Sequence, residues 1–270
     1  MYLYVSKIVK FEYIIILTSK HFNFMPAFNE TGHAKNVANF LDLITFCQGY
    51  GGNYNPSKTA ITIPSLQTLQ SDASSKLNTV TTLNTAYNNT VNDRVIAFKE
   101  IKHLGTRLFN ALQATDATSE KINNAKAINR KIQGKRASSD KTPTTPPDPN
   151  VPAPKTISTS QQSFDQMIEH FNALVELLRA EPSYSPNETD LKITSLDTYY
   201  NNLQTTNNAV SGSYTSVSNS RIERDKTLYS EKTGLYDVAQ EVKKYVKSVF
   251  GATSPEYKQI SGIKFTVKKK

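Results

Sequence analysis

Apolar residues recur in this chain at steps of three and four over most of its length, the period of a helix that buries one face. From His33 to Phe46 the positions are Val37, Phe40, Leu41 and Ile44, with Cys47 one turn on. They predict a short amphipathic helix that Gly49, Gly51 and Gly52 stop. Tyr54-Asn55-Pro56 then reads as a turn, because the residue before proline avoids the α region. Thr59 to Ile63 reads as extended, and Pro64 suits the first turn of a new helix. From Ser65 to Thr115 there is no proline, and the stripe Leu66, Leu69, Ala73, Leu77, Val80, Leu83, Tyr87, Val91, Val95, Phe98, Ile101, Leu104, Leu108 and Leu112 keeps its phase. It predicts one helix, about 75 Å long at about 1.5 Å per residue. Its weak point is Asn88 to Asp93, whose side chains compete with the helix for backbone groups and mark where a hairpin would form instead.

Ser119 to Ala137 continues as a basic helix with Ile122, Ala125, Ile128 and Ile132 on one face and Gly134 near its end. A proline-rich linker occupies 138–160. Beyond it the pattern starts again. Phe164, Met167, Ile168, Phe171, Leu174, Val175 and Leu178 give a short amphipathic helix, Pro182 breaks it, and Tyr184-Ser185-Pro186 repeats the turn. Ser195 to Phe250 carries a second long stripe, from Leu196 to Val249, ended by Gly251.

The recurrence extends to identities. Asn53–Leu69 and Ser183–Tyr199 align without a gap at a shift of 130, and seven of the 17 pairs are the same residue, among them Tyr54/Tyr184, Pro56/Pro186 and Leu66/Leu196. Arg94 and Arg224 fall at the same shift, each beside the apolar stripe and placed to meet an acid or a carbonyl. Repetition of this kind decides architecture before any single motif does. The expected fold is all-α. It is an elongated helical bundle of two homologous halves, 29–137 and 161–251, each a short helix, a Tyr-x-Pro turn and a long helix, followed by a basic tail over 252–270. Narrow stripes favour coiled-coil-like packing, and one stripe per half suggests a single shared core. Tyr54, Pro56, Tyr184 and Pro186 are expected to be structural corners.

Charge adds one candidate surface. The chain carries 32 Lys and Arg against 23 Asp and Glu. Lys121, Lys126, Arg130, Lys131, Lys135 and Arg136 form a run with no acid, and Lys264, Lys268, Lys269 and Lys270 add to the tail. The run suits a protein partner or an anion such as a phospholipid headgroup. Nucleic acid is disfavoured, since the run has no aromatic residue for base stacking and no recognition motif surrounds it. A solvated face, or one packed on the acidic Glu169 to Glu181 region, is the structural alternative.

Catalytic and metal signatures are thin. Glu100-Ile101-Lys102-His103 has the E-x-x-H spacing of carboxylate-bridged di-metal bundles, but such a centre needs a second pair, and Ser230-Glu231-Lys232-Thr233 supplies no histidine. Gly49 to Gly52 follows a helix and lacks the ending of a phosphate loop. Cys47 stands alone on an apolar face, so the chain has no internal disulfide and no cysteine-based metal site. A reducing, cytoplasmic setting is expected. Residues 1–24 hold an apolar stretch, Phe11 to Leu17, too short to span a bilayer. Composition changes at Met25, which reads as the initiator, leaving 1–24 untranslated or disordered; a secretory signal is the alternative.

Gly32 to Phe40 (GHAKNVANF), the Tyr54 turn, Lys131 to Ala137 (KIQGKRA) and the stretch from Val242 to Gly262 resemble a group of conserved hypothetical proteins of Bacteroidetes-type bacteria. The resemblance implies a bacterial chain and no particular chemistry. The expected function is a non-catalytic structural or protein-interaction bundle without a cofactor, acting on a protein partner or by self-association. A protein lying on an anionic membrane surface is the alternative, and a metal-binding bundle the second.

Overall fold

The computed structural model describes residues 31–135 and 162–267. The expectations for 1–24, for the linker 138–160, for Arg136 and for Lys268 to Lys270 lie outside the described residues. Within them the chain is helical, with no strand. The helices are α1 (Thr31–Gly49), α2 (Ile63–Phe98), α3 (Ile101–Gln113), α4 (Ser119–Ile132), α5 (Phe164–Arg179), α6 (Ile193–Tyr229), α7 (Leu235–Phe250) and α8 (Pro255–Ser261). Thr118, Ser163 and Ser254 cap α4, α5 and α8, each side chain accepting a backbone N–H three residues on.

The two long helices α2 and α6 run antiparallel along one another. Ala97 meets Tyr199, Arg94 meets Asn207, Thr90 meets Ser213, Asn84 meets Arg221 and Asp72 meets Thr227, so one number falls as the other rises. Leu66, Ala73, Val80, Tyr87 and Arg94 on α2 are spaced by seven and turned inward, and so are Leu196, Leu203, Val210, Val217 and Arg224 on α6. The middle of this contact is lean. Thr90, Ser213 and Ser220 stand in the seam and return their hydroxyls to carbonyls three residues back.

That lean middle explains the main departure from the sequence reading. Instead of one shared core there are two, at opposite ends of the α2–α6 stalk. One head packs Phe40, Leu43 and Ile44 of α1 and Leu66 of α2 against Leu228 of α6, Leu235, Val242 and Val246 of α7, and Ile260 of α8. The other packs Phe171, Leu174 and Leu178 of α5 and Leu196 of α6 against Phe98 of α2, Ile101, Leu108 and Leu112 of α3, and Ile132 of α4. Each head joins the start of one long helix to the end of the other and to the shorter helices beyond that end. Bulky side chains sit at the ends, where burying a Leu, Ile or Phe contributes about 1.5–3 kcal/mol each. The valine and hydroxyl residues between them suffice for two helices only.

Other boundaries shift for local reasons. The Ser65 to Thr115 stripe breaks at Lys99–Glu100, while Asn88 to Asp93 stays helical. Thr90 there is bonded to Tyr87 and to Ser213, so its hydroxyl supports the helix and the partner at once. The break turns the chain so that Phe98 and Ile101 enter the same core. The Ser195 to Phe250 stripe breaks at 230–234. Lys232 has φ +64°, its N–H donates to the Asp237 carboxylate, and a Cβ on Gly234 would fall 2.6 Å from the Ser230 nitrogen. Thr59–Ile61 is a 3-10 turn rather than extended, as is Thr189–Leu191. After Gly251 the chain forms α8 and then lies straight along α1. The Asn36 side chain accepts the Thr266 N–H and donates to its carbonyl, and Asn39 donates to the Lys264 carbonyl.

Candidate functional site

Tyr54 and Tyr184 make matching hydrogen bonds. Tyr54 is buried, and its hydroxyl donates to the Ile61 carbonyl at 2.6 Å; buried Tyr184 donates to the Leu191 carbonyl at 2.9 Å. Their N–H groups donate to the carbonyls of Gly51 and Glu181, three residues back in each case. Ile61 and Leu191 are buried at the ends of the two 3-10 turns, and the long helices start with Leu66 and Leu196 donating to the carbonyls of Thr62 and Lys192. Pro56 is buried and Pro186 half-buried. Burial raises both phenols, Tyr184 to about 12. Both hydroxyls are thus fixed as donors to the backbone and are poor proton sources near neutrality.

Around the corners the heads differ. Cys47 is buried against Tyr54, and desolvation pushes its thiol up to about 12, which suppresses the nucleophilic thiolate. The second head has Leu178 at the same place in its short helix. There the corner instead holds Glu181, 7% exposed, which accepts Lys121 Nζ at 2.7 Å and the Ser183 hydroxyl at 2.6 Å. These contacts, the lysine's first, bring Glu181 down to about 2.

Each corner is also tied to the helix beyond the end of the opposite long helix. Lys58 pairs with Glu241 of α7 at 2.5 Å, and Asp190 pairs with Arg107 of α3. The polarity is reversed between the two. Sequence reading missed both pairs, because each joins distant segments, whereas Lys121–Glu181 falls within the packing of the basic run on the Glu169 to Glu181 region that it weighed as an alternative; the charge change at Lys58 against Glu188 at the shift of 130 was the visible hint.

The basic run is only partly available. Lys121 is committed to Glu181, and α4 turns Ala125 and Ile132 into the head while lying against α5. Lys126, Lys131 and Lys135 are exposed, Arg130 is half-buried, and the Gln162 amide donates to the Lys131 carbonyl. Burial, with Lys131 nearby, lowers the His170 imidazole. No exposed apolar residue larger than alanine accompanies these amines on α4.

Glu100 and His103 are 3.8 Å apart and largely exposed. With Arg107, Asp190 and Tyr199 they rim a depression of about 320 Å³. Arg107 is held by Asp190, and the Tyr199 hydroxyl, raised to about 12 mainly by burial, donates to the Ala97 carbonyl. Among the described residues no three His, Cys, Asp or Glu side chains gather to hold a metal ion. Nor, among them, is any helix long and apolar enough to cross a membrane.

Arg94 and Arg224 do not share a role. Arg94 stacks on Phe164, 4.1 Å from the ring centroid, and donates to Asn207 at 3.2 Å. Arg224, 3% exposed, reaches Asp225 at 2.7 Å. No protein-family model, curated protein or solved structure matches the chain.

Proposed function

We propose that this chain is a non-catalytic structural protein, a stiff spacer that grew by internal duplication and presents two related heads to protein partners or to further copies of itself. The observation that carries the reading is the separation of the two cores. Leu66 lies in one and Phe98 in the other, on one unbroken helix, about 50 Å apart at about 1.5 Å per residue. Common corner wiring at a shift of 130 supports the duplication. The polar groups nearest the corners are engaged in holding the fold, which suits a scaffold better than a reaction centre. The unpaired, buried Cys47 suits a cytoplasmic setting.

In-cell cross-linking with a lysine-reactive reagent tests this. Cross-links from Lys58 or Lys258 in one head and from Lys126 or Lys131 in the other should reach other protein molecules. Cross-links from one head alone would sink the bridging role. The second reading, an anionic membrane surface, rests on the exposed amines of Lys126, Lys131 and Lys135. Contact there would be electrostatic. Co-sedimentation with phosphatidylserine vesicles at low salt supports it, and protein left in the supernatant removes it.

A further inference from the structure

We propose that the corner ion pairs act as a pairing code, so that each half of the chain associates with an unlike half and rejects a copy of itself. The proposal rests on the duplication reading and goes beyond it. In α3 the inward positions are Ile101, Gly105, Leu108 and Leu112; in α7, Val238 aside, they are Leu235, Ala239, Val242 and Val246. One shift of 134 matches all four, and it sets Arg107 on Glu241. At the corners the shift of 130 sets Lys58 on Glu188, with Asp190 two residues further. One half therefore carries cations at both places, and the other carries anions at both.

In the chain as folded, the Lys58 corner faces Glu241, and the acidic corner faces Arg107, which feels Glu188 as well as Asp190. If the first half paired with a second copy of itself in the same geometry, Lys58 would face Arg107 at both ends. If the second half did so, Glu188 and Asp190 would face Glu241 at both ends. The side chains are substantially exposed, 52% for Lys58 and 55% for Asp190. Such pairs add little to the stability of the correct fold. Their effect lies in the difference between pairings, because each wrong complex collects two like-charge contacts where the right one has two attractive ones.

The test keeps the whole chain. A protease site is placed between residues 136 and 161, the folded protein is cut, unfolded in guanidinium and refolded, and native mass spectrometry counts the pairs by mass. Mixed pairs should exceed like pairs by roughly tenfold or more. The double variant K58E/E241K keeps the mixed contacts attractive and makes both like pairings attractive, so like pairs should rise about tenfold. A random mixture from the unsubstituted chain, or like pairs no more frequent in K58E/E241K, overturns the code. Fragments that fold and stay single would instead overturn the duplication reading beneath it. Should the cut chain not refold, the intact chain decides: K58E lowers its melting temperature and K58E/E241K restores it, and failure of that rescue overturns the proposal.

Discussion

Replacing Tyr54 by Phe removes one oxygen and leaves the ring in place. The lost hydroxyl donates to the Ile61 carbonyl at 2.6 Å, and both residues are buried. Water has poor access to that carbonyl, so the variant loses the bond and leaves an unmet acceptor. The expected cost is about 1–3 kcal/mol, or about 2–4 °C of melting temperature for each kcal/mol in a chain of this size. Tyr184→Phe removes the matching bond to Leu191 and falls in the same range, towards its lower end, because only Tyr54 also serves a buried thiol. The corners lie in different cores, so the double variant should cost the sum of the two within about 0.5 kcal/mol. Guanidinium unfolding followed by circular dichroism gives the energies. Hydrogen exchange read by mass spectrometry gives the place. Y54F should speed exchange in α1, α7 and α8 and leave α4 and α5 protected, and Y184F should do the reverse. Equal loosening of both heads by either variant, or a coupling above about 1 kcal/mol between them, would refute the two-core argument.

Glu181 gives a pH prediction. Its pKa falls from 4.5 to about 2 on folding, so it contributes stability that is present above pH 4.5 and is lost as the pH falls through about 2. The stability gap between the unsubstituted protein and E181Q should hold above that window and close within it; a gap unchanged at the acid end contradicts the Lys121 pairing. The stalk register gives another. Thr90 and Ser213 hydroxyls are 2.7 Å apart, so T90C/S213C should form a disulfide on mild oxidation, while buried Cys47, its thiol near 12, stays reduced. T90C with a cysteine at Asn202 should not cross-link, and a bond there would mean that the helices slide.

Much of the fold was legible because its signals are local. Phe40, Phe171 and the two long stripes announce helices by spacing alone. The features that escaped depend on partners. Periodicity gives the phase of a stripe but not the size of what it must hold. Val80, Thr90 and Ser213 keep the phase while offering too little bulk for a third helix, and that splits one expected core into two. The break at Lys99–Glu100 has no glycine or proline to announce it and arises from where Phe98 and Ile101 are needed. Gly234 did mark the second break, and a stripe still in phase on either side hid it. The basic run from Lys121 to Arg136 was visible as charge and Ile132 as part of an apolar face, but the choice between a solvated face and one packed on the Glu169 to Glu181 region took the fold, which sets Lys121 on Glu181. Asn36 and Asn39 look like ordinary polar positions of a helix until the end of the chain lies across them.

The central claim is two cores held apart by an antiparallel stalk. Pulsed electron paramagnetic resonance between nitroxides at Lys126 on α4 and Lys258 on α8, both exposed, measures it directly, with buried Cys47 left unlabelled. With the heads at opposite ends the distance distribution should centre at about 50 Å or beyond, the span of the stalk at about 1.5 Å per residue. A distribution centred near 20–25 Å, roughly two helix diameters, would put α4 and α8 around one core and contradict the account.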